Sequence, residues 1–276
     1  MAHEAEYDEH TVALLELIWG EGYMAPGGPG NVAKLLEGTA PAGKRILDIG
    51  CGIGGPALEM VRTHGAQVVG IDLEAPLVAR ARRAARESGL HEHCAFRVVT
   101  PGPLPFADAS FDIVASAGAV TQTADKPALV REIRRVLRPG GQFRCYEWTG
   151  TGGELSDDMR YWLELEGLTY EFSTLAGLGE LLRDAGFDNV ETIDASDWYR
   201  AEARRELALL RGELNGRAIE LLGEELAAHF IEDWRAMTVV IDAGEMRQGY
   251  CRATRPASSQ APSPNTRTAN QGSNGQ

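Results

Sequence analysis

Between Ile46 and Met60 the chain reads ILDIGCGIGGPALEM. An apolar run of strand length ends in an acid, Asp48, and then in four glycines, Gly50, Gly52, Gly54 and Gly55. Glycine reaches backbone conformations closed to other residues, so the strand can turn sharply here. Pro56 suits the first turn of a helix, where its missing N–H costs nothing. A strand that turns on glycines into a helix is the opening unit of an α/β sheet. It also lets backbone N–H groups approach a nucleotide-like ligand at a helix N-terminus. Few other folds accommodate such a stretch.

The downstream pattern agrees. From Arg45 to Trp148 short apolar runs alternate with amphipathic ones. RILDIG, AQVVGIDL, CAFRVV, SFDIVASA and QFRCYEW read as strands. PALEMVRTH, PLVARARRAARESG and KPALVREIRRVL read as helices, the last followed by a turn at RPGG. Strands apolar along their whole length imply a sheet covered on both faces. FDNVETIDA and EMRQGYCRA add two strands. The predicted fold is a doubly wound, mostly parallel seven-stranded sheet, Rossmann-like, with N-terminal and C-terminal helical additions forming a lid. Residues 1–38 are expected to be a helical lid, and residues 39–256 the nucleotide-binding domain with helical insertions around 154–242. The apolar-poor stretch 257–276 is expected to be a disordered tail.

Composition narrows the partners. The net charge of −13 offers nothing to offset phosphate repulsion, so neither nucleic acid nor an anionic membrane surface is expected. No apolar run has membrane-spanning length, and the acidic N-terminus lacks the pattern of a secretory signal. Cys51, Cys94, Cys145 and Cys251 are widely spaced, without C-x-x-C. Reduced thiols, no metal and a cytoplasmic location follow as expectations. His91 and His93 form H-x-H without a visible third ligand.

The glycines fit two spacings. Gly50, Gly52 and Gly55 satisfy the G-x-G-x-x-G of dinucleotide sites, and Gly50, Gly52 and Gly54 the G-x-G-x-G of S-adenosylmethionine (SAM) enzymes. Asp48 favours the second, being placed to attract the methionine ammonium. So do the long helical lead-in and LPFADASFDIV followed by a helix and LRPGG. Asp72 at the end of strand two reaches ribose hydroxyls in either class, or caps the next helix. Asp112 is expected to brace strand four.

In these motifs the chain resembles class I SAM-dependent methyltransferases. EYDEHTVALLELIWGEGYMAPGG, DKPALVREIRRVLRPGG, LLRDAGFDNV and the terminal W…GYCRAT resemble, more narrowly, the phosphoethanolamine N-methyltransferases. The resemblance implies methyl transfer from SAM to a nitrogen of a small polar or zwitterionic metabolite. Asp48, Gly50, Gly52, Asp72, Leu73 and Thr100 would hold the cofactor. Tyr7, Gln122 and Glu147 would serve the reaction, with Tyr23, Trp148 and Tyr170 around the acceptor. The family's histidine falls on Gln122, the aspartate four residues before it on Gly118, its phosphate-contacting arginine on Leu168, and a further C-terminal lysine near Met237. The acid expected to meet the adenine amino group falls on Thr100, and the tyrosine after strand five on Trp148. Glutamine takes no proton at neutral pH, and Leu168 offers a phosphate nothing. An acceptor atom already unprotonated fits best. S-methylation of a thioether or thiol such as methionine is therefore a rival, and an inert partner protein of the same fold another. Trp19 is expected to be core, Glu164 and Glu171 solvated, and His10, a turn from Tyr7, exposed.

Overall fold

The computed structural model describes residues 7–257. Residues 1–6, and the part of the expected tail from 258 to 276, lie outside the described residues. The elements run α1 (Glu9–Trp19), α2 (Gly28–Leu35), β1 (Arg45–Ile49), α3 (Gly55–His64), β2 (Gln67–Asp72), α4 (Ala75–Glu87), β3 (Cys94–Val98), β4 (Phe111–Ala117), α5 (Lys126–Val136) and β5 (Leu137–Thr149). After these come α6 (Asp157–Glu166), α7 (Leu175–Asp184), β6 (Asp188–Asp194), α8 (Ser196–Arg211), α9 (Asn215–Leu222), α10 (Glu224–Asp242) and β7 (Arg247–Thr254).

One seven-stranded sheet has the order β3-β2-β1-β4-β5-β7-β6. The first five strands are parallel, and β7 runs antiparallel between β5 and β6. On one face Val32, Leu35, Ala57, Met60, Val78 and Ala81 from α2, α3 and α4 meet Ile46, Val68 and Ile113. On the other, Val130, Ile133, Leu178 and Leu182 from α5 and α7 meet Leu47, Val69, Val114 and Phe143. Burial of both faces explains the apolar strands. The expected turn at Arg138–Gly141 instead lies inside β5, with a register irregularity opposite Phe111–Ile113. Arg255 beyond β7 pairs its backbone with Gly140 and Gly141, which holds that stretch extended. Asp112 is the expected brace, accepting from the Arg45 N–H at 2.9 Å and the Arg138 guanidinium at 2.7 Å.

The added helices build a second core beyond the sheet. Leu14, Leu15 and Ile18 of α1 pack with Met159 and Trp162 of α6, Tyr199 and Leu210 of α8, and Trp234 and Met237 of α10. The lead-in thus joins the late helices over the carboxyl ends of the parallel strands. Gly22 fastens it there. Its carbonyl accepts from the Gly55 N–H at 2.9 Å, and a Cβ on Gly55 would stand 2.1 Å from that oxygen. The last glycine of the motif is therefore a packing glycine.

Candidate active site

A cavity of about 790 Å³ lies between the sheet and the second core. Its sheet end is the glycine turn. Gly50, Gly52 and Gly54 have φ of 71°, 51° and 94°, and a Cβ on Gly50 would come within 2.3 Å of the Ala119 methyl. A side chain there would be both strained and in collision. Asp72 organises the turn: one carboxylate oxygen accepts from the Gly52 N–H at 2.8 Å, the other from the Glu74 N–H at 3.0 Å. Asp48 also faces the cavity; it is 2% exposed, and its Oδ2 has no hydrogen-bond partner. Burial, and then the charge of Asp72, push its pKa up to about 7. Such a carboxylate is completed by a cationic ligand. Leu73 and Thr100 line the same end. All six expected cofactor residues are therefore together.

The other end is aromatic. Tyr7, Trp148 and Tyr170 line it as the sequence led one to expect, and so do Gln122, Leu168, Gly118 and Met237. Gln122 donates from Nε2 to the Tyr7 hydroxyl oxygen at 3.2 Å, joining the lead-in to the loop after β4. Gly118 and Trp148 are in contact: a Cβ on Gly118 would lie 2.4 Å from the Trp148 ring. The indole fills the space a side chain at 118 would need. Met237 is held by the Tyr199 hydroxyl, 3.3 Å from its sulfur.

Two expected site residues are not in the cavity wall. Tyr23 is 8% exposed, packed with Val32 and Leu36 on the α2–α4 face, and burial pushes its pKa up to about 12. Docking of Gly22 on Gly55 carries the neighbouring ring into the core. Glu147 is fully buried. Strand side chains alternate, so with Trp148 in the cavity wall Glu147 points to the opposite face. It accepts from the Ser116 hydroxyl at 3.3 Å, from the Val120 and Thr121 N–H groups at 3.3 and 3.0 Å, and from the Thr121 hydroxyl at 2.9 Å. It positions the loop that bears Gln122. The Glu171 N–H reaches the Thr121 carbonyl at 2.9 Å, and Lys126 donates to the Thr123 and Glu171 carbonyls, stitching that loop to the segment of Tyr170.

Several wall residues were not singled out from the sequence: Trp162, Glu166, Tyr199, Phe230 and Trp234. Trp19, expected as core, both packs there and reaches the cavity. Glu206, fully buried, accepts from the indole N–H groups of Trp19 at 2.7 Å and Trp234 at 3.1 Å. Their spacing on helices matches an ordinary apolar face, so periodicity alone offers no signal. Eight wall side chains are aromatic, and among the described residues none is Lys or Arg. Glu164, Glu171, His10, His91 and His93 are exposed. Among the described residues no His/Cys/Asp/Glu group could hold a metal, no helix is long and apolar enough to cross a membrane, and all four cysteines are free and buried.

Residues 47–145 match the family model described as a methyltransferase domain. The chain is 27% identical over 251 residues to phosphoethanolamine N-methyltransferase 1 of Zea mays, covering 91% of this chain and 49% of that protein. It is 36% identical over 170 residues to a sterol 24-C-methyltransferase of Gibberella zeae, covering 57% of this chain and 44% of that one. Among solved structures, Haemonchus contortus phosphoethanolamine N-methyltransferase 2, with phosphomonomethylethanolamine and S-adenosylhomocysteine, superposes with a TM-score of 0.85 at 22% identity. That match covers 92% of this chain and 59% of the other. The chain spans about half the length of the curated phosphoethanolamine N-methyltransferase of maize. The seven-stranded sheet with its flanking helices is the Rossmann-like class I methyltransferase fold.

Proposed function

We propose that this chain, which carries a class I SAM-dependent methyltransferase domain, transfers a methyl group to a nitrogen of a small molecule that bears no phosphate. One observation carries the reading: a single cavity joins the glycine turn to an aromatic chamber without Lys or Arg among its described wall residues. The cofactor end fits SAM. The partnerless Oδ2 of Asp48 suits an ammonium, and side-chain-free Gly50 and Gly52 let the turn pack against Ala119 and Met24. Asp72, with Leu73 and Thr100 beside it, suits a ribose and its base.

SAM supplies, when bound, an electrophilic methyl group on a sulfonium. The chain's own contribution is to place the acceptor's lone pair in line with it and to exclude water. The Tyr7–Gln122 hydrogen bond ties the lead-in to the loop after β4 and fixes these two polar groups relative to each other. Neither takes a proton at neutral pH, which suits an acceptor whose attacking atom is already unprotonated. Leu168 and Met237 in the wall leave a phosphate dianion uncompensated.

Thioether sulfur is a second reading, favoured by the same lack of a base in the Tyr7–Gln122 pair, since it has no proton to lose. The test is release of S-adenosylhomocysteine from SAM with amines, thioethers, thiols and phosphoethanolamine presented separately. Turnover with amines, and an N-methyl product by mass spectrometry, is expected. Turnover confined to thioethers would move the chemistry to sulfur. Turnover with phosphoethanolamine would overturn the argument from Leu168.

A further inference from the structure

The cavity wall holds a carboxylate, at the end of α6, that the reaction as described leaves unused. Glu166, the last residue of α6, lines the cavity beside Leu165, Leu168 and Tyr170. Its Oε1 accepts from the Tyr170 hydroxyl at 2.9 Å. Asp233 of α10, 2% exposed, lies within reach of Glu166. Burial, and then the charge of Glu166, raise the pKa of Asp233. The Tyr170 phenol fixes the orientation of the Glu166 side chain. Around them the rings of Trp162 and Tyr170 lie 5.5 Å apart, and Trp19 and Trp234, 6.0 Å apart, are both tied to Glu206.

A fixed carboxylate within an aromatic wall, on a surface without cations, is the chemistry that recognises an alkylammonium. Ring quadrupoles attract the charge, and the carboxylate neutralises it without the hydration a phosphate would demand. We infer that the acceptor is a neutral amine that methyl transfer converts into a hydrophobic ammonium, and that Glu166 is the anchor of that cation. This rests on the nitrogen reading above and adds to it the class of amine and the residue that selects it.

Quaternary ammonium ions test this independently of the reaction, because their nitrogen has no lone pair to methylate. Calorimetry of the complex with S-adenosylhomocysteine would compare choline, its neutral isostere 3,3-dimethylbutan-1-ol, phosphocholine and benzyltrimethylammonium. The two quaternary ions without phosphate are expected to bind about tenfold or more tightly than the isostere and than phosphocholine, with the benzyl compound tightest. Glu166→Gln should erase the preference over the isostere while S-adenosylhomocysteine affinity holds. Asp233→Asn, which leaves Glu166 in place, should retain it. Equal binding of choline and the isostere by the unaltered protein, or tighter binding of phosphocholine, would overturn the inference whatever the variants do. If the ammonium preference holds but only thioethers turn over, the nitrogen reading fails and the anchor stands. If amines turn over without that preference, the anchor fails alone.

Discussion

The two ends of the cavity are made by different means. The cofactor end is backbone: glycines in left-handed conformations, N–H groups gathered by Asp72, and a strand end that buries Asp48. The acceptor end is side chain: aromatic rings from α1, α6, α8 and α10, positioned by carboxylates, Glu206 behind two indoles and Glu166 beside a phenol. A backbone site tolerates no substitution at its turns and little change of ligand. A side-chain site is re-cut by exchanging rings and charges on a scaffold that does not move. Gly118 and Trp148 show how such a site is cut, since the one makes room for the other.

That contrast is open to attack at three strengths. Gly50→Val brings together positive φ and a Cβ placed 2.3 Å from Ala119. Binding of S-adenosylhomocysteine should be lost, with a destabilisation of about 2 kcal/mol or more seen in urea melts. Retained affinity would show that the turn is not a backbone cradle.

Asp48→Asn is milder and carries a pH signature. The folded pKa of Asp48, about 7, lies above its unfolded value. Between these the folded chain holds a proton that the unfolded chain has lost, so this residue's contribution to stability falls as pH rises toward 7 and then levels off. A ligand ammonium requires the carboxylate, so affinity for S-adenosylhomocysteine should rise as much as tenfold per pH unit below 7, with proton release in calorimetry. In the Asn variant the profile should be flat and the affinity at pH 8 about tenfold or more weaker.

The smallest effect on binding belongs to Tyr7→Phe, which removes the hydroxyl that Gln122 reaches. Turnover should fall about a hundredfold while S-adenosylhomocysteine affinity changes less than about twofold. Equal losses in both would make Tyr7 part of the cofactor end and dissolve the distinction.

The same contrast explains what the sequence disclosed. The glycine turn and the parallel strands are local, with spacing and period determined by one strand–turn–helix unit, and the cavity wall takes in Asp48 and Asp72. Tyr7, Gln122, Trp148 and Tyr170 were reached through resemblance, and the cavity gathers all four. Tyr23 and Glu147 were misassigned because nearness along the chain to a site is not orientation toward it. One ring was turned inward by the Gly22–Gly55 contact, and one carboxylate by strand alternation. Trp162, Glu166 and Trp234 went unnoticed because a helix face that lines a cavity has the same period as one that lines a core. Only the crossing of α6 and α10 distinguishes them.

The place of β7 bears on how the chain comes to exist at all. It sits between β5 and β6, though it follows both by many residues. As the polypeptide emerges from the ribosome, β5 has an open edge and β6 no neighbour until residue 254 is available. Contacts so distant in sequence form late and slowly. Throughout synthesis the nascent chain therefore exposes two unpaired strand edges, the surfaces on which aggregation templates and which chaperones shield. A stop or frameshift that removes β7 would yield a half-built sheet prone to degradation, rather than an enzyme with a shortened end.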